Sequence, residues 1–176
     1  MLIGETVCLG PVLAGDAPQL FNWCNTVALA HANGAYRPMD EGRFKAWLTD
    51  FANDPTRVLF ALRDRADLRL MGYLQLTDIQ PAARVAELGV LIGDPADQGR
   101  GFGQEAVALA VGFCWRDLNL QRLTLRVIGD NPRAIRAYAK AGFEVEGVMR
   151  RAAYVDGAHR DITIMGLLRE DTADGR

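Results

Sequence analysis

VAELGVLIGDPADQGRGFG, residues 85–103, is the stretch on which the fold turns. It opens as an apolar run from Val85 to Ile92, broken only by Glu87 and Gly89, which is the pattern of a strand covered on both faces. Gly93, Asp94 and Pro95 end the strand, and three glycines follow at alternate positions, Gly99, Gly101 and Gly103, with Gln98, Arg100 and Phe102 interleaved. A helix-forming run begins at Gln104-Glu105-Ala106. Glycines there let the backbone turn sharply and approach a ligand, and the first amides of a helix have no internal acceptor. With the positive end of the helix dipole and Arg100, those amides make an anion site of pyrophosphate size.

Two familiar glycine motifs do not fit. A P-loop needs Lys-Ser/Thr after its last glycine, and Gln104-Glu105 stands there. The dinucleotide fingerprint needs a glycine or alanine three positions after its second glycine, and position 104 is Gln.

Outward from this stretch, the helix is expected from Gln104 to Asp117, with Ala106, Leu109, Ala110 and Phe113 on its inner stripe. Arg122 to Ile128 reads as a strand, joined to the central one through that helix and hence parallel or nearly so. Gly129-Asp130-Asn131-Pro132 ends it, and Asn131 and Pro132 suit the cap and first position of a helix that stops at Gly142-Phe143. Glu144 to Leu168 reads as two long strands about an Asp156-Gly157 turn. On the other side, Val58 to Arg63 and Leu70 to Thr77 form a hairpin about Asp64 to Arg69, and with the central strand they complete an antiparallel meander. The N-terminal third holds a strand from Thr6 to Val12 and a short helix from Ala14 to Asn25 with Asp16 as its cap. A long loop from Thr26 to Met39 follows, then a helix capped by Asp40 with Phe44, Trp47, Leu48 and Phe51 on one stripe. A loop of that length in a compact domain is often a binding loop.

The 176 residues suit one domain with one sizeable core, expected over 1–170, with 171–176 as a polar tail. A net charge of −2 gives no electrostatic case for nucleic acid or a membrane surface. No signal-peptide layout and no apolar run of spanning length is present. Cys8, Cys24 and Cys114 are unpaired by spacing and read as small hydrophobes in a reducing cytoplasm, the expected compartment. His31 and His159 have no ligand-spaced partners, so no metal is expected.

The spacing Gln98-x-x-Gly101-x-Gly103 resembles the acyl-CoA-binding motif of the GNAT N-acetyltransferase superfamily. NPRAIRAYAKAGF, residues 131–143, is similar to that superfamily's Asn-x-x-Ala…Tyr…Gly-Phe signature. The ending GVMRRAAYVDGAHRDITIMGLL is similar to the branch that contains ribosomal-protein N-terminal, spermidine and small-amine acetyltransferases. The resemblance covers essentially the whole chain. It implies an α/β (α+β) fold with a mixed, mostly antiparallel sheet of about seven strands and about four helices, splayed at the acetyl-CoA slot.

It also implies roles. The turn Gln98 to Gly103, that is Gln98, Gly99, Arg100, Gly101, Phe102 and Gly103, would hold the CoA pyrophosphate. The free edge at Val90, Leu91 and Ile92 would pair with the pantetheine amides and offer an amide to the thioester oxygen. Gly89 would allow a bulge that opens the slot. Tyr138 takes the position of the tyrosine that protonates the departing sulfur. Asn131 would cap its helix or bond the pantetheine. Glu87, the lone charge in its strand and on the face of Gly89 and Leu91, is the candidate general base, or else is paired with Arg84 or Arg122. Tyr154, His159 and Asp161 would border the acceptor cleft. The expected activity is acetyl-CoA-dependent acetylation of a small primary amine by direct transfer, without an acetyl-enzyme. N-terminal acetylation of a protein and a catalytically silent acyl-CoA-binding module are the alternatives. The loop from Thr26 to Met39 contains no acid, which argues against a polyamine specialist. A homodimer is the expected assembly, being the commonest for such domains.

Overall fold

The computed structural model describes residues 1–129 and 131–172. Asp130, read as part of a strand end, and most of the expected tail lie outside them. In chain order the strands are Leu2–Ile3 (β1), Val7–Gly10 (β2), Val58–Asp64 (β3), Leu70–Gln80 (β4), Val85–Ile92 (β5), Arg122–Ile128 (β6), Glu144–Val155 (β7) and Ala158–Leu168 (β8). The helices are Ala17–Cys24 (α1), Val27–Asn33 (α2), Glu41–Asn53 (α3), Phe102–Arg116 (α4) and Pro132–Lys140 (α5). Among the described residues the strands form one sheet of eight, in the order β1-β2-β3-β4-β5-β6-β8-β7. Every neighbouring pair is antiparallel except β5 and β6, which the α4 crossover makes parallel.

The architecture agrees with the sequence reading, with one strand and one helix more. The extra strand is the two-residue β1 beside β2. The extra helix, α2, occupies part of the expected loop from Thr26 to Met39. Thr26 stands in extended conformation before it, and its carbonyl accepts from Leu29 and Ala30. Seven residues with no buried position carry no amphipathic period, so the pattern had nothing to register. Gly34 then ends the helix, and the true loop is shorter.

β5 is covered on both faces, as its apolar run requires. Ala86 and Leu88 join a core formed with α4, where Ala106, Ala110, Cys114 and Trp115 are buried. Leu91 instead joins a second cluster with Leu20, Trp23 and Phe44 from α1 and α3. Leu109 and Phe113, expected on the inner stripe of α4, are only partly buried. The helix is set so deeply against the sheet that Val107, Val111 and Trp115 share its inner face. Asp16 does not cap α1 with its side chain. Its buried carboxylate accepts from Leu13 N at 2.7 Å and grips Arg63 of β3 at 2.6 Å and 3.1 Å.

Gly89 is not a bulge: the β4–β5 ladder runs in register from Gly72↔Ile92 to Thr77↔Glu87. The irregularity lies between Thr77 and Gln80, around Asp78 at φ 50°, where Asp78 and Ile79 stand opposite Ala86 alone. The splay lies on the other edge of β5. Only Val85, Ala86 and Glu87 pair with β6, at Arg122, Leu123 and Thr124. Beyond Thr124, β6 stays bonded to β8 along its whole length, while β5 parts from it. A slot opens between the two parallel strands.

Candidate functional site

The slot leads into a cavity of about 590 Å³. Its walls are the β5 edge at Val90, Leu91 and Ile92, the glycine turn, Val127 and Ile128 of β6, and one side of α5. Gly99 at φ 78° and Gly101 at φ 89° hold a left-handed backbone that L side chains rarely adopt. Gly101 is also the N-cap of α4, and the first intrahelical bond is from Glu105 N to Gly101 O at 3.0 Å. The amides of Phe102, Gly103 and Gln104 therefore have no acceptor inside the helix, and Gly103 and Gln104 line the cavity.

Gln98, Gly99, Gly101, Gly103, Asn131 and Tyr138 all line this cavity, as do Val90, Leu91 and Ile92. Arg100 and Phe102 are not among its walls. Arg100 turns outward over the ring of Phe102, 4.8 Å from its centroid, with Asp97 at 3.7 Å, and Phe102 packs into the core. The alternation of the turn sends these two side chains away from the face that the glycines present. Cationic groups come instead from α5: Arg133, Arg136 and Lys140 line the cavity, and none makes an ion pair with a described residue. Their spacing within NPRAIRAYAK was the available signal. Gln98 Nε2 donates to Ile92 O at 3.2 Å, so one carbonyl of the β5 edge is already engaged.

Asn131 caps α5 as its position suggests, accepting from Ala134 N at 3.0 Å. Tyr138 packs its ring against Phe143 with centroids 6.0 Å apart. Its hydroxyl makes no hydrogen bond with a described residue, and burial pushes the phenol above its usual range.

Asp97 holds the turn in place. Its carboxylate takes Arg69 Nη1 and Nη2 at 2.7 Å and 3.0 Å, and this pairing keeps the acid below the usual carboxylate range. A carboxyl depressed in the folded state adds stability above its unfolded value of about 4 and loses it as pH falls through the folded value. Asp97→Asn is expected to cost about 1–2 kcal/mol at pH 7, allowing for the exposure of Arg69. It should also flatten the acid side of the stability profile, as chemical denaturation from pH 7 down to pH ~3 would show.

A second cavity, about 560 Å³, adjoins the first, and Leu88, Gly89, Leu91, Arg126 and Ile128 line both. Its floor is one face of the sheet: Tyr73, Gln75 and Thr77 on β4, Glu87 and Gly89 on β5, Arg126 on β6 and Ile162 on β8. Its roof is Trp23 and Cys24 of α1, residues of α2, Arg37 and Met39 of the loop, and Trp47 of α3. Asn25 pins the loop, donating to Met39 O at 3.0 Å and accepting from Met39 N at 2.9 Å.

Glu87 thus faces the second cavity. Its partner is Arg126 at 3.2 Å, rather than Arg84 or Arg122, which engage Asn119 and Glu146. Tyr154, His159 and Asp161 border neither cavity. The rings of the first two meet edge to face near the hairpin tip with centroids 5.1 Å apart, and Asp161 accepts from Arg151 N. β8 contributes Ile162 instead. Tyr73, inside the expected strand Leu70 to Thr77 and assigned no role there, is half-buried against Trp47, and that burial raises its phenol. Burial also raises the Cys24 thiol, and that of Cys114 to about 12, which leaves both weak nucleophiles at neutral pH. Among the described residues no group of His, Cys, Asp and Glu is arranged to hold a metal ion, and no helix is long and apolar enough to cross a membrane.

Comparison with known proteins agrees with this geometry. The family model for the acetyltransferase (GNAT) domain matches residues 6–144. The chain is 31% identical to the spermidine N(1)-acetyltransferase of Vibrio cholerae over 110 residues, 62% of each chain. It is 36% identical to the Escherichia coli K12 spermidine N(1)-acetyltransferase over 90 residues, 51% of this chain and 48% of that one. These matches span about half to three fifths of the length of the curated relatives. The crystal structure of the Vibrio cholerae spermidine N-acetyltransferase in complex with CoA and spermine superimposes with a TM-score of 0.86 at 25% identity, covering 94% of this chain and 96% of that one.

Proposed function

The chain belongs to the GNAT acetyltransferase family, and from that premise we propose that it transfers the acetyl group of acetyl-CoA directly to the primary amine of a small molecule. The observation that carries this reading is the parting of β5 from β6. It joins a cavity walled by the glycine turn to a second, mixed-polarity cavity, and it sets Tyr138 beside the first and Glu87 in the second.

The free amides of α4 and the bare glycine turn receive the CoA pyrophosphate, with Arg133, Arg136 and Lys140 supplying the positive charge that the outward Arg100 does not. The β5 edge at Val90 and Leu91 pairs with the pantetheine arm, and a backbone amide there steadies the thioester oxygen as it gains charge. The amine approaches from the second cavity and attacks the carbonyl carbon, and the carbon–sulfur bond breaks. Glu87 accepts the ammonium proton, directly or through water, and the Tyr138 hydroxyl donates its proton to the departing sulfur. Solvent then restores the phenol. The raised thiols of Cys24 and Cys114 favour direct transfer over an acetyl-enzyme.

Glu87→Gln keeps the shape of the side chain and removes the base. It is expected to lower kcat/KM about 100-fold at pH 7, with acetyl-CoA affinity little changed. A variant that keeps its rate would return the proton to ordered water. A homodimer finds support in β7, a sheet-edge strand that exposes Val145, Val148, Met149 and Tyr154.

A further inference from the structure

We propose that the amine acceptor also carries a carboxylate, as an α-amino acid does, and that Arg37 receives it. The inference rests on acetyl transfer in the second cavity as read above. Among the described residues, the ionised side chains lining that cavity are Arg37, Glu87 and Arg126. Glu87 and Arg126 balance each other at 3.2 Å. Arg37, exposed at the rim, has no hydrogen-bonding or ionic partner among the described residues, so the mouth of the cavity presents one uncompensated positive charge.

That charge balance is wrong for a polyamine. Two or more ammonium groups would face one carboxylate already paired and one free guanidinium, and like charges in a partly enclosed site repel. It is right for an amine with a carboxylate. The ammonium meets Glu87 near the slot, and the carboxylate takes the two parallel donors of Arg37. Arg37 does not hang from a free loop, because Asn25 fixes the backbone of Met39 two residues away on both its N–H and C=O. The hydroxyl of the half-buried Tyr73, without a hydrogen-bond partner among the described residues, is a further donor on the same floor. Trp23, Met39 and Trp47 give an apolar wall for the acceptor's side chain.

The test measures kcat/KM with acetyl-CoA for L-leucine, L-methionine and L-phenylalanine, for their carboxamides, and for spermidine, by thiol release and product mass. At least one acid is expected to exceed its carboxamide by about tenfold or more, the size of a charge-assisted contact. Arg37→Ala should collapse that ratio towards one, and Arg37→Glu should shift preference towards spermidine. Equal rates for acid and carboxamide, survival of the ratio in Arg37→Ala, preference of the wild type for spermidine, or silence of all the acids while acetyl-CoA binds would each overturn the inference. Wild-type protein whose unfolding midpoint does not respond to acetyl-CoA would instead fail the acetyl-transfer reading itself.

Discussion

Tyr138→Phe is expected to lower kcat about 100-fold while leaving the acetyl-CoA dissociation constant within about threefold of wild type. The hydroxyl has no hydrogen-bond partner among the described residues, so its removal breaks no structural contact, and the ring still packs on Phe143. The unfolding midpoint should therefore stay where it is, which separates a proton donor from a core tyrosine. Burial raises the phenol, so the donor form persists through neutral pH and is lost only above the ordinary tyrosine range near 10. The wild-type kcat should fall on that alkaline side, and the residual rate of Tyr138→Phe should not. Single-turnover kinetics across pH would show both. An unchanged rate would return Tyr138 to the core.

Gly93→Ala is expected to have a large effect on stability. A Cβ at this position would lie within the indole of Trp23, which is itself buried among Leu20, Phe44 and Leu91. The Gly93 amide is bonded to Met71 O at 2.9 Å, so the backbone is not free to retreat. Forced overpacking of this kind costs about 3 kcal/mol and lowers the midpoint by roughly 6–12 °C in a domain of this size. Trp23→Leu in the same chain should recover part of the loss. Additive effects of the two substitutions would contradict the clash. Because Trp23 roofs the second cavity, the single variant should also lose amine turnover before it loses acetyl-CoA binding.

The order of elements was legible because their boundaries are written in local chemistry. Gly93 to Pro95 closes β5, positive-φ glycines precede α4, Asn131 and Pro132 start α5, and Asp156-Gly157 turns the last hairpin. The slot-lining residues followed from the same turn. What was illegible depends on tertiary placement. Nothing local distinguishes Arg126 from Arg84 or Arg122 as the partner of Glu87, since strand pairing between β5 and β6 decides it. The outward turn of Arg100 over Phe102 and the inward aim of Arg133 reflect the set of two helices against one turn. α2 left no trace because none of its seven residues is fully buried, and Asp16 looked like a cap because Arg63 is 47 residues away in the chain.

The most direct test of the central claim is thermal unfolding of the wild-type protein with acetyl-CoA, with CoA, with NAD and without ligand. Acetyl-CoA at about a hundredfold excess over its dissociation constant should stabilise by about 2.7 kcal/mol, a rise of roughly 5–10 °C, and CoA should act similarly while NAD does not. A midpoint that ignores both CoA species, or that follows NAD alone, would contradict the assignment of the slot and every role built upon it.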